Sequence, residues 1–220
     1  GSAKDVLNKL IDANCDVQNF EKWIEHCKTL NIYSFKKRSD RLHSFEVLEE
    51  IQKYFDNKNP IIATEVGQHQ VWASRCLKIK SPRKFITSGG LGTMGFGFPS
   101  AIGACIGTNN QPVICIAGDG SFQMSIQEIA TCVDYNLPVK VFVFDNGYLG
   151  MVRQFQEKSC EQRYFATKIS NPDFVKLAQS YGAIGIRVER QEEIIPAIDK
   201  AMSHNGLVIV DFVIEPEEIL

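Results

Sequence analysis

GDGSFQMSIQEIATCVDYNLPVKVFVFDN, residues Gly118 to Asn146, is the stretch on which the fold turns. The apolar run Val113–Ala117 before it reads as a strand that stops at Gly-Asp-Gly. A helical stretch over Ser125–Asn136 follows, and a second apolar run, Val139–Phe144, stops at Asp145-Asn146. Runs of Val and Ile without polar alternation suit strands covered on both faces, so this strand-helix-strand unit predicts a right-handed crossover between parallel strands. Each strand then delivers a polar residue, Asp119 or Asn146, to its carboxyl end. That is where ligands bind in open parallel sheets.

Working outward, the same alternation recurs. Strands are expected at Ile61–Thr64, Phe85–Thr87, Ile184–Val188 and Leu207–Val213. Helices are expected over Phe45–Phe55 with Ser44 as N-cap, and near His69–Cys76, Phe98–Ile106, Pro172–Tyr181 and Glu192–Ser203. The fold class is α/β, an open, mainly parallel sheet with helices on both faces. Residues 44–220 form this domain. Residues 1–43, with helical spacing through Ala3–Leu30 and then the charged "KKRSDR", form an N-terminal helical appendage and connector from a preceding domain. Gly1-Ser2 without an initiator Met is expected to mark a piece cut from a longer chain.

A net charge of −2 and the absence of a long basic run argue against nucleic-acid or membrane partners. The seven cysteines are scattered singly with no CxxC pair, so neither a disulfide framework nor a zinc site is expected. No apolar run approaches the length of a membrane span, and the expected location is cytoplasmic.

Gly90-x-Gly92-x-x-Gly95 follows a strand and precedes a helix, the pattern of a dinucleotide fingerprint. A lone match of this kind also reads as a Gly-rich turn with a closely packed helix start, and a nicotinamide-dependent oxidoreductase or a non-catalytic nucleotide-binding module remains an alternative. From Gly89 to Val139 there is no Lys or Arg. A phosphorylated ligand here has to be neutralised by backbone N–H groups, helix N-termini and a metal ion. Mg²⁺ suits this, because it takes one or two protein oxygens and completes its octahedron with phosphate and water. Asp119 and Asn146 are the candidate ligands, with a simple helix-capping role for Asp119 as the alternative.

Gly118-Asp119-Gly120 with Asn146 at the end of the next strand resembles the metal-diphosphate motif of thiamine diphosphate-dependent enzymes, although that motif usually ends Asn-Asn rather than Asp145-Asn146. "TEVGQHQVWA" (Thr64–Ala73), "FITSGGLGTMGFGFPSAIGA" (Phe85–Ala104), "NGYLGMVRQFQE" (Asn146–Glu157) and "NPDFVKLAQSYGA" (Asn171–Ala183) extend the resemblance to the acetolactate synthase catalytic subunit. The resemblance implies a thiamine diphosphate-binding fold. It implies Mg²⁺ held by Asp119, Asn146 and the Tyr148 carbonyl. Gln68, His69, Gly120, Ser121, Leu149, Gly150 and Met151 would hold the diphosphate. Gly92 and Met94 would meet the aminopyrimidine, with Met94 bending the cofactor. Met151 and Phe155 would line the substrate pocket, Phe155 standing where the family has Trp.

The implied reaction decarboxylates pyruvate and joins the two-carbon unit to a second 2-oxo acid. Another thiamine diphosphate-dependent 2-oxo acid decarboxylase or lyase, or a cyclic-dione hydrolase, is the nearer alternative. The family's activating Glu comes from the pyrimidine-binding domain of a partner subunit, so a homo-oligomer is implied. No catalytic Glu is expected within these residues, Glu65 being misplaced for that role, and the piece alone is expected to be inactive.

Overall fold

The computed structural model describes residues 2–13, 20–30, 35, 37 and 39–217. The chain divides into two compact units, Gly1–Lys36 and Lys37–Leu220. The first holds α1 (Ala3–Asp12) and α2 (Phe20–Leu30), whose apolar residues, including Leu7, Ile11 and Trp23, are exposed. Cys15, Lys36 and Arg38 lie outside the described residues.

The second unit is built on one sheet of six parallel strands: β1 (Ile61–Thr64), β2 (Phe85–Thr87), β3 (Val113–Gly118), β4 (Val139–Asp145), β5 (Ile184–Val188) and β6 (Val208–Val213). Their spatial order is β2-β1-β3-β4-β6-β5. β3 is apolar throughout because both of its faces are covered, whereas β4 carries Lys140 and Asp145 and β6 carries Asp211. In β3, Val113, Cys115 and Ala117 point to one side, where α5 (Gly97–Gly107), α7 (Ile129–Asp134) and α9 (Phe174–Ser180) contribute Phe98, Ile129, Cys132 and Phe174 to the core. Phe122 joins that core edge-on to Phe98, with ring centroids 5.2 Å apart. Ile114 and Ile116 alternate to the other side, that of α3 (Ser44–Phe55), α4 (Gln68–Cys76) and α10 (Ile194–Ser203), whose Leu48, Ile51, Trp72 and Ile198 are also buried.

Some details differ from the sequence expectation. The N-cap of α3 is His43 rather than Ser44, and the Glu46 carboxylate accepts the His43 backbone N–H at 3.2 Å. The second unit begins at Lys37, and in it Leu42 pairs with Ile214 while its carbonyl accepts from the Glu215 backbone N–H at 2.7 Å. The helix expected over Ser125–Asn136 is broken. α6 (Asp119–Phe122) starts directly at the strand tip, a 3₁₀ segment spans Gln123–Glu128 with a non-helical Ser125, and α7 follows. A helix absent from the expectation, α8 (Gly150–Ser159), follows β4. Among the described residues no helix is long and apolar enough to cross a membrane.

Candidate functional site

The chain leaves β1 toward β2 on one side of the sheet and returns to β3 on the other, so a crevice opens beyond the carboxyl ends of β1 and β3. β3 and β4 are in register, Gly118 opposite Phe144, which brings the loops after all three strands together. They border an open cleft whose empty space, continuous with solvent, is about 490 Å³. Among the described residues no Lys or Arg lines it.

Asp119 opens α6 and is 2% exposed. Its Oδ1 accepts from the Gly120 N–H at 2.8 Å. Its Oδ2 accepts from the Gly147 N–H at 2.8 Å and from Asn171 Nδ2 at 2.7 Å. Burial pushes its pKa up to about 7; the Asn171 hydrogen bond opposes that rise and the Asp145 charge adds to it. Asn146, beyond the tip of β4, accepts the Tyr148 N–H on Oδ1 at 3.0 Å, closing a tight turn through Gly147 at φ 71°. The turn is strapped by residues 167–169: the Leu149 N–H donates to Thr167 O at 2.7 Å and the Ile169 N–H to Gly147 O at 3.0 Å.

Gln68 and His69 start α4 at the cleft's opposite wall. Gln68 Nε2 donates to Gln154 Oε1 of α8 at 2.9 Å. His69 is 7% exposed, and its Nε2 is buried without a partner. Burial drives its pKa down to about 3, so the ring is neutral. The backbone comes close because it is glycine at the contacts. A Cβ on Gly150 would stand 2.1 Å from Gln68 Oε1, and one on Gly118 would stand 2.6 Å from His69 Nδ1. Met94 turns its Cε toward Gly120.

The expected residues Gln68, His69, Met94, Asp119, Gly120 and Ser121 all line the cleft, as do Asn146, Tyr148, Leu149, Gly150 and Met151. Gly92 and Phe155 do not. Gly92 sits in the loop before α5 at φ 63°, and Phe155 is 68% exposed on α8. Asn171 and Gln154 carry no role in the sequence expectation, and Glu65, considered there only as a misplaced activating Glu, has a different one. Glu65 is fully buried, and its carboxylate accepts from the Gly95 N–H at 2.8 Å and the Phe98 N–H at 2.9 Å. It therefore fills the anion position at the start of α5 where a dinucleotide fingerprint would place its pyrophosphate, which removes the nicotinamide reading of Gly90–Gly95. Among the described residues no three His, Cys, Asp or Glu side chains cluster as a metal cage.

Residues 65–212 match the family model of thiamine pyrophosphate enzymes, C-terminal TPP binding domain. The chain belongs to this family. The probable acetolactate synthase large subunit of Methanococcus aeolicus is 41% identical over 98% of the chain and 37% of the relative. That of Methanocaldococcus jannaschii is 42% identical over 100% of the chain and 39% of the relative. The acetolactate synthase isozyme 2 large subunit of Escherichia coli is 38% identical over 91% and 37%. The chain is thus a thiamine pyrophosphate-binding domain homologous to acetolactate synthase large subunits, and it spans between 37% and 39% of the length of these relatives.

Proposed function

We propose that this domain holds thiamine diphosphate through Mg²⁺ within a carboligase that decarboxylates pyruvate and transfers the two-carbon unit to a second 2-oxo acid. The observation that carries the reading is the cleft's imbalance. It offers glycine backbone, a buried unpartnered ring nitrogen and a buried carboxylate beside a second carboxylate, with no cationic side chain among the described residues that line it. A diphosphate with a divalent ion corrects each of these at once. The donor set fits Mg²⁺: one carboxylate (Asp119), one amide (Asn146) and the carbonyl of Tyr148.

When bound, thiamine diphosphate supplies a carbon nucleophile that adds to a 2-oxo acid and accommodates the electron pair left as CO₂ departs. The chain's own residues bind and orient. The backbone of Gly120 and Ser121 and the start of α8 at Gly150 and Met151 would hold the diphosphate, with Gln68 and His69 beside them. Met94, whose Cε lies toward Gly120, would support the middle of the cofactor, and Met151 would border the substrate. Gly92 and Phe155, outside the cleft lining, would meet the pyrimidine and the acceptor only at the edge of the bound ligands. Leu91, 94% exposed, and Phe96 stand on the same loop as Met94 and would be covered by the pyrimidine-binding domain of a partner subunit in a homo-oligomer.

The test measures thermal unfolding with thiamine diphosphate in the presence of Mg²⁺ or a chelator. At a hundred times Kd the stabilisation is about 2.7 kcal/mol. It should vanish with the chelator and in Asp119→Ala. Stabilisation that survives the chelator unchanged would refute the reading, and a response to NAD alone would replace it.

A further inference from the structure

Asn171 reaches Asp119 from the loop before α9. Its Nδ2 donates one hydrogen to Asp119 Oδ2 at 2.7 Å and the other to Asp145 Oδ1 at 2.7 Å. Its Oδ1 accepts from Gln123 Nε2 at 2.9 Å, and Gln123 also donates to the Asp119 carbonyl at 3.2 Å. The amide cannot flip without losing all three side-chain contacts, so its orientation is fixed. A carboxylate oxygen has two acceptor positions. Asp119 Oδ2 has both filled, by Gly147 N–H and Asn171. Oδ1 has one filled, by Gly120 N–H, and keeps the other.

We propose that Asn171 is the positioning residue that makes Asp119 a one-oxygen ligand, presenting Oδ1 alone, and thereby sets the site's preference for a small octahedral cation over a larger one. This rests on the metal-diphosphate reading above. Mg²⁺ demands near-ideal octahedral geometry, which single-oxygen carboxylate ligation respects, whereas Ca²⁺ accepts more oxygens in looser arrangements, often a carboxylate by both of its oxygens. Removing the Asn171 donor frees an acceptor position on Oδ2. Asp119 can then offer two oxygens, which favours Ca²⁺. Asn171 also donates to Asp145, so without it two neighbouring carboxylates share only the Gly147 N–H, at 2.8 and 3.2 Å.

The test titrates Mg²⁺ and, separately, Ca²⁺ into the protein with saturating thiamine diphosphate, reading cofactor-induced thermal stabilisation and tryptophan fluorescence. The proteins compared are the wild type, Asn171→Ala, Asn171→Leu and Gln123→Met. In the Asn171 variants the half-saturating Mg²⁺ concentration should rise about tenfold or more, while that for Ca²⁺ rises less, so the ratio of the two shifts toward Ca²⁺. Gln123→Met, which releases the amide's orientation without removing it, should shift the ratio the same way by a smaller factor. Equal weakening of both ions, or no change in either, would overturn the proposal, because loss of packing alone does not discriminate between them. The Gln123 variant keeps the test decisive if the Asn171 variants do not fold. A wild type that shows no metal-dependent response to thiamine diphosphate would instead refute the functional reading itself. A wild type that responds, with an unaltered ion ratio in the variants, would refute only the role of Asn171.

Discussion

His69 carries a buried nitrogen with no partner and a pKa driven down to about 3 by burial. A histidine whose folded pKa lies below its unfolded value near 6.5 contributes stability that is fully present above the unfolded pKa and is lost as pH falls through the folded one. Asp119 has the opposite sign. Its raised pKa gives a contribution present below about 3.8 and lost as pH rises through about 7. The two windows overlap, so the wild-type profile mixes them and a variant is needed to separate them. We expect the stability difference between the wild type and His69→Asn, measured by urea denaturation without ligand, to shrink as pH falls from about 6.5 toward 3, by no more than about 1.4 kcal/mol per pH unit. A difference that stays flat across that range would show that the ring titrates normally. At this scale much of the site was legible. Asp119 and Asn146 are read from spacing because each directly follows an apolar strand. Asn171 was not, because its partners Asp119, Asp145 and Gln123 lie 52, 26 and 48 residues away and no local pattern joins them.

Among the elements, strands were the most legible, since continuous Val and Ile runs admit few other readings, and β1, β2 and β5 have the expected ends. Helix α8, largely polar in sequence, does not bury the few apolar residues it has: its one buried residue is Arg153, while Val152 and Phe155 are exposed. Arg153 is held between aromatic rings, 5.2 Å from the Tyr148 centroid and 4.6 Å from that of Tyr164, contacts that sequence periodicity does not reveal. Helix α5 depends on an element distant in sequence. A Cβ on Gly97 would stand 2.4 Å from the Glu65 nitrogen, so the helix start abuts the end of β1, and the Glu65 carboxylate satisfies the N–H groups of Gly95 and Phe98 there. Glu65→Gln keeps one acceptor oxygen but turns an NH₂ toward a backbone N–H. The expected cost is about 2 kcal/mol in chemical denaturation, with a loosened Met94 loop seen as faster amide exchange at Gly95 and Phe98. An unchanged midpoint would mean that water or another group already serves those donors.

On the scale of the second unit, the central strands carry charged residues of opposite sign at their two ends. Beyond the carboxyl ends sit Asp119 and Asp145, while near the amino end of β4 Lys140 is fully buried, its Nζ donating to His204 O at 2.7 Å and Gly206 O at 2.5 Å. Those carbonyls belong to the connection from α10 into β6, so the lysine ties the central strand to the crossover that lays β6 beside it. Burial lowers its pKa to about 8, against 10.5 for the free side chain. Between those values the unfolded chain binds a proton that the folded one does not, so the contribution of this lysine grows as pH rises from about 8 to 10.5 and is lost as pH falls through about 8. The buried Cys132, whose pKa burial pushes up to about 12, also contributes at alkaline pH and masks the effect in the wild type. Lys140→Met removes the charge and keeps most of the chain length, leaving two carbonyls without their donor. Measured as the difference in unfolding free energy between wild type and Lys140→Met, the advantage of the wild type should widen from pH 8 to 10 with a slope of at most about 1.4 kcal/mol per unit. A constant difference would mean that Lys140 stays protonated in the fold throughout, its charge fully met by the two carbonyls.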